Sequence, residues 1–473
     1  MRPAQTLQLA PALLAATALA GCTVGPNYVR PEVKLTPAYH ATVAIAAADT
    51  RWWTRFADPV LDRLMEAALA QNMDVAAAVA RVEQARAAAQ ASDAALRPRA
   101  DLAASGERVR QSLRTPVGAV GNQLGLSRNY SLYQFGPQAS WEVDLFGGLR
   151  REREASRANY ASATADADAV RLSIAAETVD AYLQLRGLQA RYAVASRQLD
   201  TERRLTALVR QQAEQGIVAD RELNRVTGES QGIEAGLAPL RAAIAGQINR
   251  LDVLAGRQAG IDPDMLNVVR PIPNAPDPSG SAMPAELMRR RPDVAAAERR
   301  LAAASARIGV AVADYYPHLS LSGLLGFASI GTGGLFTSSG LQANGGAGLG
   351  WHLFDFGRID AEVAQARGRH AEALAQFRGA VLKATQDVET ALTQLTEGRN
   401  EVALREQQVA SLTRARDQAR QGYEGGVLAL IDVLDADRAL LDAADHLASV
   451  RAETARASVA AVRALGGGWE VRS

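Results

Sequence analysis

Apolar residues recur at every seventh position late in the chain: Leu374, Val381, Val388, Leu395, Val402 and Val409, with Phe377, Ala384, Ala391 and Leu412 in the companion position. Sustained heptads on a stretch without proline predict one long helix with a coiled-coil seam, from about Arg358 to Gly425. An ordinary long bundle helix also fits this spacing, and Arg405 interrupts the companion row. A second stretch without proline, from about Leu149 to Gln215, has the same extent and a less regular seam of Leu185, Tyr192 and Leu199. At 1.5 Å per residue, each helix would reach about 100 Å. Ahead of each helix the period changes. Residues 99–112, 130–146, 317–330 and 347–356 are rich in Ser, Gly and aromatics and partly alternate, which predicts four strands in two hairpins. Such lengths suit a membrane-barrel strand. Turn-rich loops separate them at Arg114–Asn129 and at 331–346.

The two halves repeat. Asp74-Val75, Pro98 and Leu102 match Asp293-Val294, Pro317 and Leu321 at an offset of 219. Trp141–Leu149 matches Trp351–Ile359, and the run from Arg210 matches that from Arg420, at an offset of 210. Similar segments in the same order imply two structurally equivalent halves.

Each long helix ends at a glycine turn, at Gly216 and at Gly425-Gly426, where glycine permits a left-handed reversal. In the middle of the chain the return path has two helical pieces, 219–255 and 285–314, separated by the proline-rich stretch Arg270–Pro284. One long helix beside two stacked short ones predicts a tall helical wall with a collar where the short helices meet. Four strands cannot close a barrel, and an open sheet edge is not tolerated in lipid. If the strands cross a membrane, the chain must oligomerise through its sheet edges.

Composition adds boundaries to this picture. The 473 residues are 22% charged and 48% hydrophobic with net charge +1, so nothing points to nucleic acid. The one cysteine, Cys22, follows an apolar run, Leu7–Leu19, that is too short for a permanent span and ends in Leu19-Ala20-Gly21. This order resembles a bacterial lipoprotein box, with Cys22 as the acylated mature N-terminus. An ordinary signal peptide is the alternative. Thr23 follows, where an inner-membrane retention signal would place aspartate. The implied location is the outer membrane. A single cysteine leaves no internal disulfide.

Catalytic chemistry is not visible. The five histidines (His40, His318, His352, His370, His446) lack metal-ligand spacing. The run Gly345–Gly350 enters a strand, which favours small barrel residues over a phosphate loop. Neither a cofactor nor an enzyme activity is expected. Asp432 and Asp435 are three apart, so they share a helix face just past the second tip. They fit either a solvated face or a ring of carboxylates lining a tunnel.

The motifs "GCTVGPNYVRP" (Gly21–Pro31), "LMRRRPDVAAAERRL" (Leu287–Leu301), "YPHLSL" (Tyr316–Leu321), "LFDFGR" (Leu353–Arg358) and "YEGGVLALIDVLDA" (Tyr423–Ala436) stand in one order over the whole chain. With them the chain resembles the TolC-like outer-membrane factors, in particular the NodT-type lipoprotein subgroup of resistance-nodulation-division efflux systems. The resemblance implies an α+β membrane protein with internal duplication. Four transmembrane β-strands per protomer would complete a trimeric 12-strand β-barrel, continuous with a long coiled-coil α-helical barrel. The implied function is the outer-membrane exit duct of a tripartite efflux pump, passively conducting drugs or other small molecules. The implied partners are two further copies, a periplasmic adaptor protein, an inner-membrane pump and outer-membrane lipid. The organisation expected is a signal peptide (1–21), a lipid-anchored extended segment (22–57), a first repeat (58–256), a proline-rich equatorial segment (257–284), a second repeat (285–465) and a tail (466–473). By resemblance, Asp432 and Asp435 match the constricting aspartates of the periplasmic gate. Glu222, the repeat counterpart of Asp432, would latch to Tyr423. Gly216 and Gly426 match the tips that an adaptor hairpin approaches. Two departures weaken the latch: Ala213 stands at the repeat counterpart of Tyr423, and Leu428 stands where some members carry a latching arginine. Metal-ion efflux, type I secretion, or a lipid-anchored periplasmic coiled-coil scaffold are the other readings.

Overall fold

The computed structural model describes residues 23–40, 49–260, 264–278, 283–284 and 290–467. The expected signal peptide and Cys22 lie outside these residues, as do parts of the proline-rich segment and the last part of the tail.

A 3-10 turn, Trp52–Phe56, is followed by α1 (Pro59–Gln71), α2 (Met73–Ala95), β1 (Arg99–Arg110), α3 (Pro116–Gln123), β2 (Asn129–Val143), α4 (Gly148–Glu214), α5 (Asp220–Leu254) and the single turn α6 (Asp264–Asn267). The second half contributes α7 (Pro292–Ala313), β3 (His318–Ser329), β4 (Leu341–Gly350), α8 (Arg358–Glu424) and α9 (Leu430–Ala464). Helices α4 and α8 both have 67 residues, and α5 and α9 both have 35. The 210-residue offset therefore superimposes all four of their boundaries. Pro239 lies inside α5, where it removes one backbone donor without ending the helix. The chain packs as two units. One holds residues up to Pro31, Glu83–Ser162 and Glu298–Gln376; the other holds Glu32–Val82, Ala163–Ala297 and Phe377 onward.

In the first unit the four strands form one antiparallel sheet in the order β1-β2-β3-β4. Offsets of 219 and 210 carry the pair Arg99↔Ser140 onto His318↔Gly350, so the two hairpins share one register. Register also sorts the side chains. Leu102, Phe135, Leu321, Phe327, Leu341 and Leu349 fall on one face; Asp101, Gln134, Gln138, Ser322, Asn344 and Gln342 fall on the other. That is the lipid-out, water-in alternation of a membrane barrel. Phe336 packs edge-on against both Phe135 and Phe327, each at 5.5 Å between ring centres.

Two expectations need correction here. The fourth strand, expected at 347–356, spans Leu341–Gly350. The aromatic cluster that drew the expectation, Trp351 to Phe356, follows the strand, and ladder pairing to β3 fixes the glycine-rich run instead. The first hairpin loop also contains a helix, α3, whose start is capped by the Thr115 hydroxyl accepting from Gly118 N–H.

The second unit carries the main core. Trp52, Trp53 and Phe56 pack with Leu61 and Met65 of α1 against Tyr182 and Leu185 of α4, Leu251 of α5 and Val459 of α9. Asp58 caps α1 through Val60 N–H at 2.9 Å, with Pro59 as first helical residue. The fully buried Arg186 donates to the Tyr182 hydroxyl, to Gln189 and to the Val268 carbonyl, and the Tyr182 hydroxyl donates to Asp58 in a short hydrogen bond. Arg186 therefore ties the start of the proline-rich segment to α4, and Arg399 holds its carbonyls at Ala275 and Pro276 to α8. Along α8 the heptad residues Val381, Val388 and Leu395, with Phe377, Ala384 and Ala391, are all buried. Leu374, Val402 and Val409 are half-buried.

Candidate functional site

Both long helices end the same way. Gly216 N–H bonds to Ala213 O and Ile217 N–H to Gln212 O; Gly426 N–H bonds to Tyr423 O and Val427 N–H to Gly422 O, all at 2.9 Å. Gly216 and Gly426 both have φ +73°. This is a Schellman termination, which needs a left-handed residue after the helix. A Cβ at either glycine would meet no heavy atom of the chain within 4 Å. Beneath the turns, Val209, Val226, Leu430 and Leu434 form a small core joined by Leu205, Val218, Leu223 and Tyr423.

That core fixes the rotation of α9. Val433 and Leu434 point into packing, and Asp432 and Asp435 are exposed. Asp432 is the third residue of α9, and its carboxylate accepts from Ala429 N–H at 2.9 Å. Both carboxylates sit in the first two turns, where the helix dipole favours negative charge. Asp435 has no side-chain partner among the described residues of the protomer. Glu222 is likewise the third residue of α5, half-buried, and accepts from Arg221 at 2.9 Å. The Tyr423 hydroxyl donates to Gln212 at 3.3 Å. The expected Glu222–Tyr423 latch is thus not made within one protomer, because each side chain has a nearer partner on its own or the adjoining helix.

Farther from the turns lies a feature that sequence reasoning missed. Glu202 of α4 is 1% exposed and Asp437 of α9 is 3% exposed. Gln198 donates to Glu202 at 3.0 Å, and the Arg416 guanidinium stands 3.6 Å from Asp437. Burial pushes the Glu202 carboxyl up to about 7, with the charges of Asp437 and Glu229 adding to it and Gln198 opposing. Burial also raises Asp437, against Arg416 and Arg420. The signal for both was a break in the repeat: their counterparts at the 210 offset are Leu412 and Thr227.

The sign of this linkage gives a prediction. Unfolded, Glu202 titrates near 4.5; folded, it holds its proton to about 7. Its contribution to stability is present at low pH and is lost as pH rises between those values, on the order of 3 kcal/mol per chain. Thermal unfolding in detergent is expected at lower temperature at pH 8 than at pH 5, and Glu202→Gln is expected to shrink that difference. A variant with the wild-type pH profile would remove Glu202 as its source.

The described residues that follow Cys22 are held by backbone and side-chain hydrogen bonds. Val24 N–H donates to Phe146 O at 3.0 Å, and the buried Arg151 grips the carbonyls of Val24 and Gly25 and the Asn27 side chain. A Cβ on Gly147, at φ +84°, would lie 2.9 Å from Thr23 Cα. Thr23 to Asn27 are therefore held beside the junction of β2 and α4. Among the described residues no group of His, Cys, Asp or Glu could hold a metal ion, and no helix is long and apolar enough to cross a membrane.

The sequence profile for outer membrane efflux proteins matches residues 64–257 and 283–467, one stretch in each half. The pyoverdine export outer membrane protein OpmQ of Pseudomonas putida is 33% identical over 92% of this chain and 91% of its own. Nodulation protein T of Rhizobium leguminosarum bv. trifolii is 30% identical over 95% of both chains. The solved outer-membrane channel OprN superposes with a TM-score of 0.85 at 32% identity, covering 95% of this chain and all of that one.

Proposed function

The chain belongs to the outer membrane efflux protein family, and from that premise we propose that its helix tips form the periplasmic gate of a passive exit duct. The protein is the outer-membrane channel of a tripartite efflux pump, a homotrimer working with a periplasmic adaptor and an inner-membrane pump, and not an enzyme. Its fold is the four-strands-per-protomer barrel joined to a helical barrel. A scaffold without membrane strands is excluded by the sheet and its two-faced alternation.

The observation that carries the gate is the shared exposed face of Asp432 and Asp435 on a helix start anchored by its own small core. In three copies that face supplies six carboxylates at a constriction, attracting cations and repelling anions. Converging carboxylates also raise one another's proton affinity and titrate as a set. Gly216 and Gly426 are the docking points for an adaptor, since both are open and carry no side chain. Within its protomer Tyr423 is held by Gln212, and Glu222 becomes available to a neighbour once Arg221 releases it. Drugs and other small molecules are the cargo; pyoverdine, which the OpmQ relative exports, is the second reading.

The test is complementation. Cells lacking their own outer-membrane duct, supplied with this chain and its adaptor and pump, should lower accumulation of a fluorescent pump substrate to the level of intact cells. Unchanged accumulation with trimer present in the outer membrane would remove the export role.

A further inference from the structure

The loop of the first hairpin carries charge that export does not use. Arg108 and Arg110 lie near the far end of β1, and Arg114 and Arg128 lie in the loop between β1 and β2; all four are exposed. Among the described residues none of the four has a carboxylate within ion-pair distance, and Arg108 donates only to the Ser131 hydroxyl, at 3.0 Å. The corresponding loop of the second hairpin, 330–340, has no charged residue.

Register decides where Arg108 and Arg110 face. They continue the row Ala100, Leu102, Ala104, Gly106, whose partners on β2 include Pro137, Phe135 and Tyr133. That row belongs to the apolar face, the one turned to lipid. The acidic neighbours Asp101 and Glu107 fall on the opposite, polar face. With about 3.3 Å per residue and a strand tilt near 40°, Arg108 stands about 20 Å and Arg110 about 25 Å above Ala100. The apolar band of such a barrel is about 25 Å tall. The two guanidinium groups thus emerge at the outer headgroup level, where long cationic side chains reach upward from apolar surroundings. In a closed barrel the strand beside β1 is β4 of the next copy. Its positions on the apolar face, Leu341, Ala343, Gly345, Ala347 and Leu349, offer no charge and little bulk. Farther along the same loop, α3 presents Val117 and Val120, and Leu124 follows its last residue; all three are exposed. Apolar side chains beside unpaired arginines match a lipid that bears phosphate.

We propose that Arg108 and Arg110, with α3 beside them, bind the phosphate-bearing headgroup of the outer-leaflet lipid. The planar guanidinium is suited to two-pronged phosphate contact, and a charge-assisted bond of this kind is roughly twice as strong as a neutral one. Bound lipid would fix the height of the barrel in the membrane and cover α3. The proposal rests on the outer-membrane reading above.

Native mass spectrometry of the trimer in dodecyl maltoside tests it, with diphosphoryl lipid A, dephosphorylated lipid A and inorganic phosphate as probes. The wild type should retain diphosphoryl lipid A, and Arg108→Gln/Arg110→Gln should lower retention about tenfold with the trimer intact. Arg108→Lys/Arg110→Lys should keep part of it, and Arg99→Gln, on the polar face, should change nothing. Equal retention by the Gln variant, or equal binding of dephosphorylated lipid, would overturn the proposal. Displacement by millimolar inorganic phosphate would make this a free-anion site and overturn it. Dissociation of the Gln variant into single copies would also overturn it, by assigning these arginines to contacts between copies. A wild type that is itself monomeric would instead sink the trimeric duct.

Discussion

Gly426→Arg is expected to abolish export at normal expression, and Gly426→Ala to leave most of it. The two substitutions separate strain from obstruction. Gly426 has φ +73°, so any side chain carries the left-handed backbone penalty, about 1–2 kcal/mol. Both variants bear that penalty, spread over a chain whose tip has its own packed core. A Cβ there meets no heavy atom of the protomer within 4 Å, so a side chain can leave the backbone without an immediate clash. A loss specific to arginine is then expected to come from a chain docked at the tip, the adaptor in the proposed reading. Dye accumulation and adaptor co-purification, both at matched trimer levels, read the outcome. Normal export by Gly426→Arg would end the docking assignment, and equal loss in Gly426→Ala would transfer the effect to strain.

Asp432→Ala/Asp435→Ala should remove the cation preference of the pore. In the proposed gate six carboxylates set the selectivity, and without them the cation-to-anion permeability ratio should fall to about unity. Asp432 also caps α9 through Ala429 N–H, so its loss costs about 1 kcal/mol of helix stability. Asp432→Asn/Asp435→Asn keeps shape and much of the capping while removing charge. If charge is the agent, both double variants give the same reversal potential under a salt gradient. A ratio unchanged from wild type in both would return these residues to an ordinary solvated face.

Much of the architecture was legible because it is written twice. A 210-residue offset placed the long helices and tip glycines, and the boundaries of α4, α5, α8 and α9 obey it. The heptad seam was readable because Val381, Val388 and Leu395 answer to local period alone. Strand β4 was misplaced because glycine carries no periodic signal; its position is set by pairing to β3, a contact remote in sequence. Aromatic residues at Trp351 and Phe354 drew the expectation past the true end of the strand. At the tips, the faces of Asp432 and Asp435 followed from helical spacing. The partner of Tyr423 did not, since Gln212 reaches it across two helices 211 residues apart. Glu202 and Asp437 were hidden inside helices that read as ordinary amphipathic surface. Only their departure from the repeat, against Leu412 and Thr227, marks them. Arg186 is similar: its counterpart Thr396 gives no hint of a buried guanidinium tying α4 to the segment before Pro271.

The central claim is a passive pore that needs no energy of its own. It is tested most directly by recording single-channel currents from mass-verified wild-type trimer in a planar bilayer, without adaptor, pump or nucleotide. The account predicts small, cation-preferring steps that scale linearly with voltage. Silence from verified trimers of both the wild type and the Asp432→Ala/Asp435→Ala variant would contradict it.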